Sequence, residues 1–317
     1  MKKGLYTLFL SFIITNLSAQ LVWQNVDSLF QPLPKTIHVF YTDTKVDTAP
    51  FRAYYVIADL KDRKSDFTAD TTYKRRLTPT QFYERNDKPL LVVNCTFFSF
   101  ETNQNLNVVI KEGKMLSVNH RLVRGKGKDS SHFYMPHLSA IGISANGSAD
   151  VVWLKSDTVR WRAFASQKPP TNQVYFKTNR STKETIVEDP NKWKKWRMET
   201  SVGGGPILLQ QGEIKITNEE EMMFTGKAIN DKHPRTAMGY TKDNKLIILV
   251  VEGRNSNAGG ATLTQEAQIL KDIGCWEALN LDGGGSSCLL INGKETIKPS
   301  DKSGQRPVPA VFIIRQK

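Results

Sequence analysis

The residues best suited to chemistry lie in Ala278-Leu-Asn-Leu-Asp-Gly-Gly-Gly-Ser-Ser287, where an apolar strand runs into an aspartate, three glycines and two serines. Lacking Cβ atoms, Gly283, Gly284 and Gly285 let backbone amides crowd a ligand. Asp282 puts a carboxylate at a strand end, where open α/β sheets build their sites. With Ser286 following, the set suits a sugar hydroxyl or a phosphate. The plainer reading is a tight turn between strands, yet three glycines in a row exceed what a turn needs.

A second acidic tip precedes it. Glu252-Gly-Arg254 follows the apolar run 245–251. Thr262 then opens a helix, with Gln265 three residues on completing a capping box. Ala267, Leu270 and Ile273 share one face, and Gly274 stops the helix before a strand at 276–281. Strand, loop, helix and strand read as a βαβ unit whose two strands run parallel through a right-handed crossover. Parallel strands end on one edge of a sheet. Glu252 and Asp282 are therefore expected there together, beside Arg254 and the anion-attracting helix N-terminus at Thr262 and Thr264. Such an edge can bind an anion and do acid–base work beside it. The plainer alternatives are an ion pair of Glu252 with Arg254 or Arg235, an Asx-turn at Asp282, and simple capping by Thr262. Glu266, in the first helical turn, reads as a capping or dipole-pairing residue. Two carboxylates are too few to argue for a metal, and no Cys/His spacing resembles a zinc site, so neither metal nor cofactor is expected.

Most of the chain that must position these groups reads as β. Residues 37–41, 51–57, 90–94, 140–144 and 151–154 are short apolar or aromatic runs, and residues 78–85, after Thr-Pro, read as a helix. Hairpins are expected across Glu112-Gly113, within 206–216, across 242–244 and at Asn292-Gly293. The fold class is α+β: a β-rich mixed sheet with the βαβ unit near the C-terminus and helices on its faces. Residues 155–200 are rich in Lys, Arg, Pro and Trp without a clear period. They read either as an excursion over the site, offering aromatics for sugar stacking, or as a surface loop pinned by tryptophans. Cys95, Cys275 and Cys288 read as small buried hydrophobes, with one disulfide open as an alternative.

Residues 1–19 have the form of a secretory signal, with Lys2 and Lys3, an apolar stretch at 5–17 and a small-residue cut before Gln20. Export to the periplasm or the medium is expected, with no membrane span in the mature chain. The remaining length suffices for a large core. Its organisation reads as a β-rich region over 20–89 and a second domain over 90–317. The net charge of +13 suits acidic partners such as phosphate-bearing glycans, while no nucleic-acid recognition motif is present.

Four ordered runs resemble the phosphodiester glycosidase family. They are His233-Pro-Arg-Thr-Ala-Met-Gly239, Val251-Glu-Gly-Arg254, Thr262-Leu-Thr-Gln-Glu-Ala267 and the Asp282 stretch itself. Val202-Gly-Gly-Gly-Pro206 and Arg306-Pro-Val-Pro309 are similar to two further signatures of that family. The resemblance spans about residues 90–315 and implies a hydrolase. Its reaction would cleave a sugar, with N-acetylglucosamine the candidate, from a sugar-1-phosphodiester to give free sugar and phosphomonoester. It implies catalytic roles for Asp282, Glu252 and Arg235. Substrate binding is implied for Asn94, Thr96, Gly204, Gly205, His233, Arg254 and Arg306, together with Thr262, Thr264, Gly283, Gly284, Gly285 and Ser286. The separation of Asp282 and Glu252 would then bear on retention or inversion. One departure stands out: Asn94-Cys-Thr-Phe-Phe98 replaces the family's Asn-Gly-Gly-Phe-Phe, so side chains are expected where backbone should approach the ligand. Two other readings remain open: an exo-glycosidase without phosphate specificity, and a non-catalytic glycan-binding protein of the cell envelope.

Overall fold

A computed structural model describes residues 21–120, 122–125, 127–170, 174–177 and 192–317. The signal segment and part of the Trp-rich stretch lie outside these residues. The strands form sheets of eight, seven, five and three strands, and every pairing among the described residues is antiparallel. The β-rich character is as expected; the mixed sheet is not.

The expected βαβ unit is altered in one respect. Strands Lys245–Val251 and Cys275–Asn280 do run parallel, joined through α2 (Leu263–Asp272), but they are not neighbours. Arg235–Thr241 lies between them and pairs antiparallel with both. Arg235–Thr241, the first strand of the hairpin 235–251, occupies the position the second parallel strand would have taken.

Period-2 alternation explains how this sheet is buried on both faces. Leu246, Ile248 and Val250 enter a central core with Met238 and Leu279, facing Leu91, Val93, Phe312 and Ile314 of the five-stranded sheet. Ile247, Leu249 and Val251 point the other way, where α2 covers them with Leu263, Ala267 and Leu270. The Thr262–Gln265 capping box forms as expected. Truncating fully buried Leu270 to Ala should cost about 2–5 kcal/mol. α1 (Pro79–Arg85) performs the same service for the five-stranded sheet through Phe82, against Val92, Leu290, Val311 and Ile313.

Residues 21–89 share sheets with the C-terminal part of the chain. Ala53–Asp59 pairs along its full length with Lys245–Val251, and Ser65–Thr71 pairs with Ala310–Gln316. Early and late segments share the same sheets. The expected hairpins at 112–113, 206–216, 242–244 and 292–293 are all present. All three cysteines are buried and free.

Candidate active site

Three strand tips meet at one edge of the eight-stranded sheet. Arg235 opens its strand, Val251 ends the neighbour on one side and Asn280 ends the neighbour on the other. Arg235 is in register with Val251, and Ala237 with Asn280. The loops beyond these tips enclose a cavity of about 220 Å³. His233, Arg235, Arg254, Asn280, Asp282, Gly283, Gly284 and Gly285 line it, with Phe97, Phe224 and Arg306 at its sides. A larger cleft of about 740 Å³ shares none of these residues, and its Arg315 and Asp66 are already paired at 2.5 Å.

Asp282 is fixed by its own backbone. Its N–H donates to the Cys95 carbonyl at 2.8 Å, and its carbonyl accepts from Asn94 Nδ2 at 2.5 Å. On either side, Leu281 N–H donates to Thr236 and Gly284 N–H to Pro234. The carboxyl opens partly onto the cavity, but protein crowds its other sides. This desolvation pushes it up to about 7, against the opposing pull of hydrogen bonds from Ser286 and the Gly283 amide and of the Arg306 charge. Among the described residues its Oδ2 has no partner, and neither has the buried Oδ1 of Asn280, whose Nδ2 donates to the Gly205 carbonyl at 2.8 Å. Two residues of the cavity wall thus each carry a buried acceptor oxygen without a partner among the described residues.

Positive charge surrounds this pair. Arg235, only 3% exposed, is braced by Nε donating to the Ala261 carbonyl at 2.9 Å and by Nη2 donating to Asp231. Arg254 adopts φ 63°, a left-handed conformation that a branched-off side chain seldom takes, and its Nη2 donates to His233 Nδ1 at 3.2 Å. Arginine has no acceptor, so Nδ1 must be the lone-pair nitrogen and Nε2 carries the proton. Burial and the flanking Arg235 and Arg254 lower the His233 pKa, keeping the ring neutral near pH 7. Arg306 lies against Gly285, with Nε held by Asp301 at 2.7 Å and Nη1 reaching Ser286 Oγ at 3.5 Å.

Several expected site residues lie off the cavity wall. Glu252 is 2% exposed and absent from the cavity wall. It accepts from Asn255 Nδ2 at 3.1 Å and from the Lys298 N–H at 3.0 Å, and it faces Arg52 at 3.6 Å. Its charge partner is therefore neither Arg254 nor Arg235, and no Glu252–Asp282 carboxylate pair forms across the site. Asn94 also lies outside the wall. Its Nδ2 donates to the Asp282 carbonyl, and its Oδ1 accepts from Thr236 Oγ1 and Cys288 N–H, each at 3.0 Å. Cys95 joins the central core and Thr96 is 1% exposed, and neither of the side chains that replace two glycines of the resembled motif lines the cavity. Gly204 and Gly205 sit behind the wall, Gly205 N–H donating to the Asn280 carbonyl at 2.8 Å. Thr262 serves as the helix cap and Thr264 is exposed on α2; neither reaches the cavity.

Glu266 differs most from its expected role. The Thr262–Gln265 box already caps α2, while Glu266 is fully buried with neither carboxyl oxygen hydrogen-bonded among the described residues. Desolvation pushes it up to about 8, with Arg235 its one opposing charge. None of the described tryptophans lines the cavity. Trp153 is in the central core and Trp196 donates to Asp150, whereas Phe97 and Phe224 flank the cavity edge-to-face at 6.1 Å. Phe97 sits in the Asn94 run and Asn280 in the Asp282 stretch, so both carried a sequence signal through their neighbours. Phe224, in a turn-rich segment, carried none.

The sequence model of the family described as Phosphodiester glycosidase matches residues 162–315. An N-acetylglucosamine-1-phosphodiester alpha-N-acetylglucosaminidase of Mus musculus is 32% identical over 101 residues, covering 32% of this chain and 19% of that protein. The SPbeta prophage-derived uncharacterized protein YomE of Bacillus subtilis (strain 168) is 39% identical over 79 residues, covering 25% of this chain and 12% of that one. The chain thus spans less than a fifth of the length of these two relatives. The solved catalytic domain of the zebrafish N-acetylglucosamine-1-phosphodiester alpha-N-acetylglucosaminidase, auto-inhibited by its pro-peptide, shares the fold. Its TM-score is 0.59 at 21% identity, over 94% of this chain and 88% of that one.

Proposed function

Residues 162–315 belong to the phosphodiester glycosidase family, and on that premise we propose that this chain is an exported hydrolase that cleaves a sugar-1-phosphodiester at the anomeric carbon. Water adds to that carbon, the bond from it to the phosphate oxygen breaks, and free sugar and a phosphomonoester leave. A phosphate monoester departs far more readily than a sugar alkoxide, so the step needs anion stabilisation more than a general acid. Arg235, Arg254 and Arg306, the neutral Nε2–H of His233 and the amides of Gly283, Gly284 and Gly285 supply donors for that anion. Guanidinium forks suit phosphate better than an ammonium would.

Among the described residues Asp282 is the one carboxylate on the cavity wall. It takes the proton of the attacking water, and a carboxyl raised to about 7 is well matched to that task near neutral pH. Asn280 Oδ1 receives a sugar hydroxyl, and Phe97 and Phe224 give the ring an apolar face. N-acetylglucosamine is the proposed sugar, on the strength of the named relatives' activity. The carrying observation is the unpartnered Asp282 Oδ2 in a cavity walled by three arginines. The form of residues 1–19 supports export, and no helix among the described residues is long and apolar enough to cross a membrane.

The test offers the mature protein an N-acetylglucosamine phosphodiester and a plain aryl glycoside. Sugar release from the phosphodiester alone, lost by a factor of about 10² or more in Asp282→Asn, supports the proposal. Equal turnover of the aryl glycoside would give the protein to the phosphate-independent reading. Binding without turnover would give it to the glycan-binding one.

A further inference from the structure

A phosphodiester has two sides, and a cavity of about 220 Å³ accounts for the sugar and the phosphate alone. The group on the far side of the phosphate must leave past Arg306. What it meets there is built. Phe98 is buried, Phe100 is 65% exposed, and their rings lie 4.7 Å apart. The Arg306 guanidinium lies 5.3 Å from the Phe100 centroid on one side. Arg76 lies 5.7 Å from the same centroid and 5.1 Å from that of Phe98. The segment carrying these rings is pinned, with Ser99 N–H donating to Gln104, Leu106 N–H to Phe97 and Phe97 N–H to Asn107 Oδ1.

The two arginines differ in one respect. Arg306 is engaged by Asp301 and turned toward the cavity. Arg76 is half-buried and has no hydrogen bond or ion pair among the described residues; its ring contacts are all that hold it. Stacking on two phenyl faces orients a guanidinium while leaving its N–H edge free for an anion. Both guanidiniums neighbour one ring, so they lie no more than about 11 Å apart. Successive phosphates of a polymer with short polyol or sugar links can bridge such a gap. Lys74 and Arg75 extend the positive run, and the chain's net charge of +13 favours a polyanion over a neutral leaving group.

We propose that Arg76, held over Phe98 and Phe100 at the cavity mouth, binds a second phosphate on the leaving side of the substrate. The natural substrate would then be a sugar-capped polymer of repeating phosphodiesters. This rests on the phosphodiester reading above and adds the class of the leaving group.

Two N-acetylglucosamine phosphodiesters test it, one with glycerol as the leaving-side group and one with glycerol phosphate. The wild type should favour the doubly phosphorylated substrate about fivefold in kcat/KM, as a partly screened charge pair allows. Arg76→Gln should erase that preference at unchanged Tm, and Arg76→Lys should restore part of it. Equal use of both substrates by the wild type, or a preference surviving in Arg76→Gln, overturns the inference. Affinity for a short poly(glycerol phosphate), measured by calorimetry, requires no turnover. If neither ester is cleaved, the hydrolase reading fails, and the polymer alone decides the role of Arg76: about fivefold weaker binding by Arg76→Gln supports it, and equal binding ends it.

Discussion

Asp282 and Cys95 are joined through the main chain: the aspartate N–H donates to the Cys95 carbonyl at 2.8 Å, while the cysteine side chain points into the central core. One residue therefore holds the Asp282 backbone with its carbonyl and fills the core with its side chain. Of the Cys95-Thr96 pair that replaces Gly-Gly, the cysteine falls on the core side. Its consequence is for packing, not for access to the cavity.

Cys95→Gly should then lower stability without changing substrate preference. The loss combines a small cavity with the entropy of a freer backbone, about 1–3 kcal/mol together. Urea denaturation reads the stability, and kcat/KM on the two ester types reads the preference. A changed preference at unaltered stability would place residue 95 in the substrate site after all.

Glu252 gives the opposite contrast with Asp282. Both follow strands at one sheet edge, but Glu252 is spent on Arg52, Asn255 and the Lys298 amide. Glu252→Ala strands those partners and should cost about 1–3 kcal/mol. Measured below its unfolding transition, its kcat should stay within about threefold of wild type, while Asp282→Asn loses about 10² or more. A Glu252→Ala protein that is stable yet inactive would return Glu252 to the chemistry.

Buried carboxyls also set how the protein answers to pH. Glu266 is raised from 4.5 to about 8 in the fold, so between those values the folded state keeps a proton that the unfolded chain has released. Its contribution is fully present below pH 4.5 and is lost as pH climbs to about 8. Glu266→Gln removes this slope. Relative to wild type, the variant should gain stability between pH 5 and pH 8.5 in urea titrations. Parallel titration curves would show that Glu266 is ionised throughout, paired with Arg235. Asp282, raised to about 7, should independently impose a rising limb near that pH on kcat/KM.

How far the sequence revealed all this depended on how local each signal was. The capping box at Thr262, the hairpin at Asn292-Gly293 and the acidic turn at Asp282 are written within a few residues, and each forms. The shared edge was also legible, because a helical crossover returns a strand in the same direction. That Arg235–Thr241 lies between the two parallel strands was not, since pairing order depends on contacts across the whole chain. The role of Glu252 was hidden for the same reason: its neutralising partner, Arg52, lies 200 residues away and was not distinguishable among 44 basic residues. Glu266 was misread because helix position suggests capping, whereas burial under the sheet edge decides its environment.

Two glycines of one turn should separate fold from function. A Cβ on Gly285 would fall 2.1 Å from Arg306 Nη2, the far end of a long side chain that can move aside. A Cβ on Gly283 would fall 2.7 Å from the Pro234 carbonyl, which the Gly284 N–H already holds at 2.8 Å. Gly285→Ala should therefore leave stability within about 1 kcal/mol of wild type. It should still lower kcat/KM for a phosphodiester by about 10-fold or more, since displacing Arg306 removes a charged donor from the leaving phosphate. Gly283→Ala must shift backbone and should lose about 1–3 kcal/mol of stability as well as activity. Thermal melts beside initial rates distinguish the two. A Gly285→Ala enzyme with wild-type rates would show that Arg306 does not serve the phosphate.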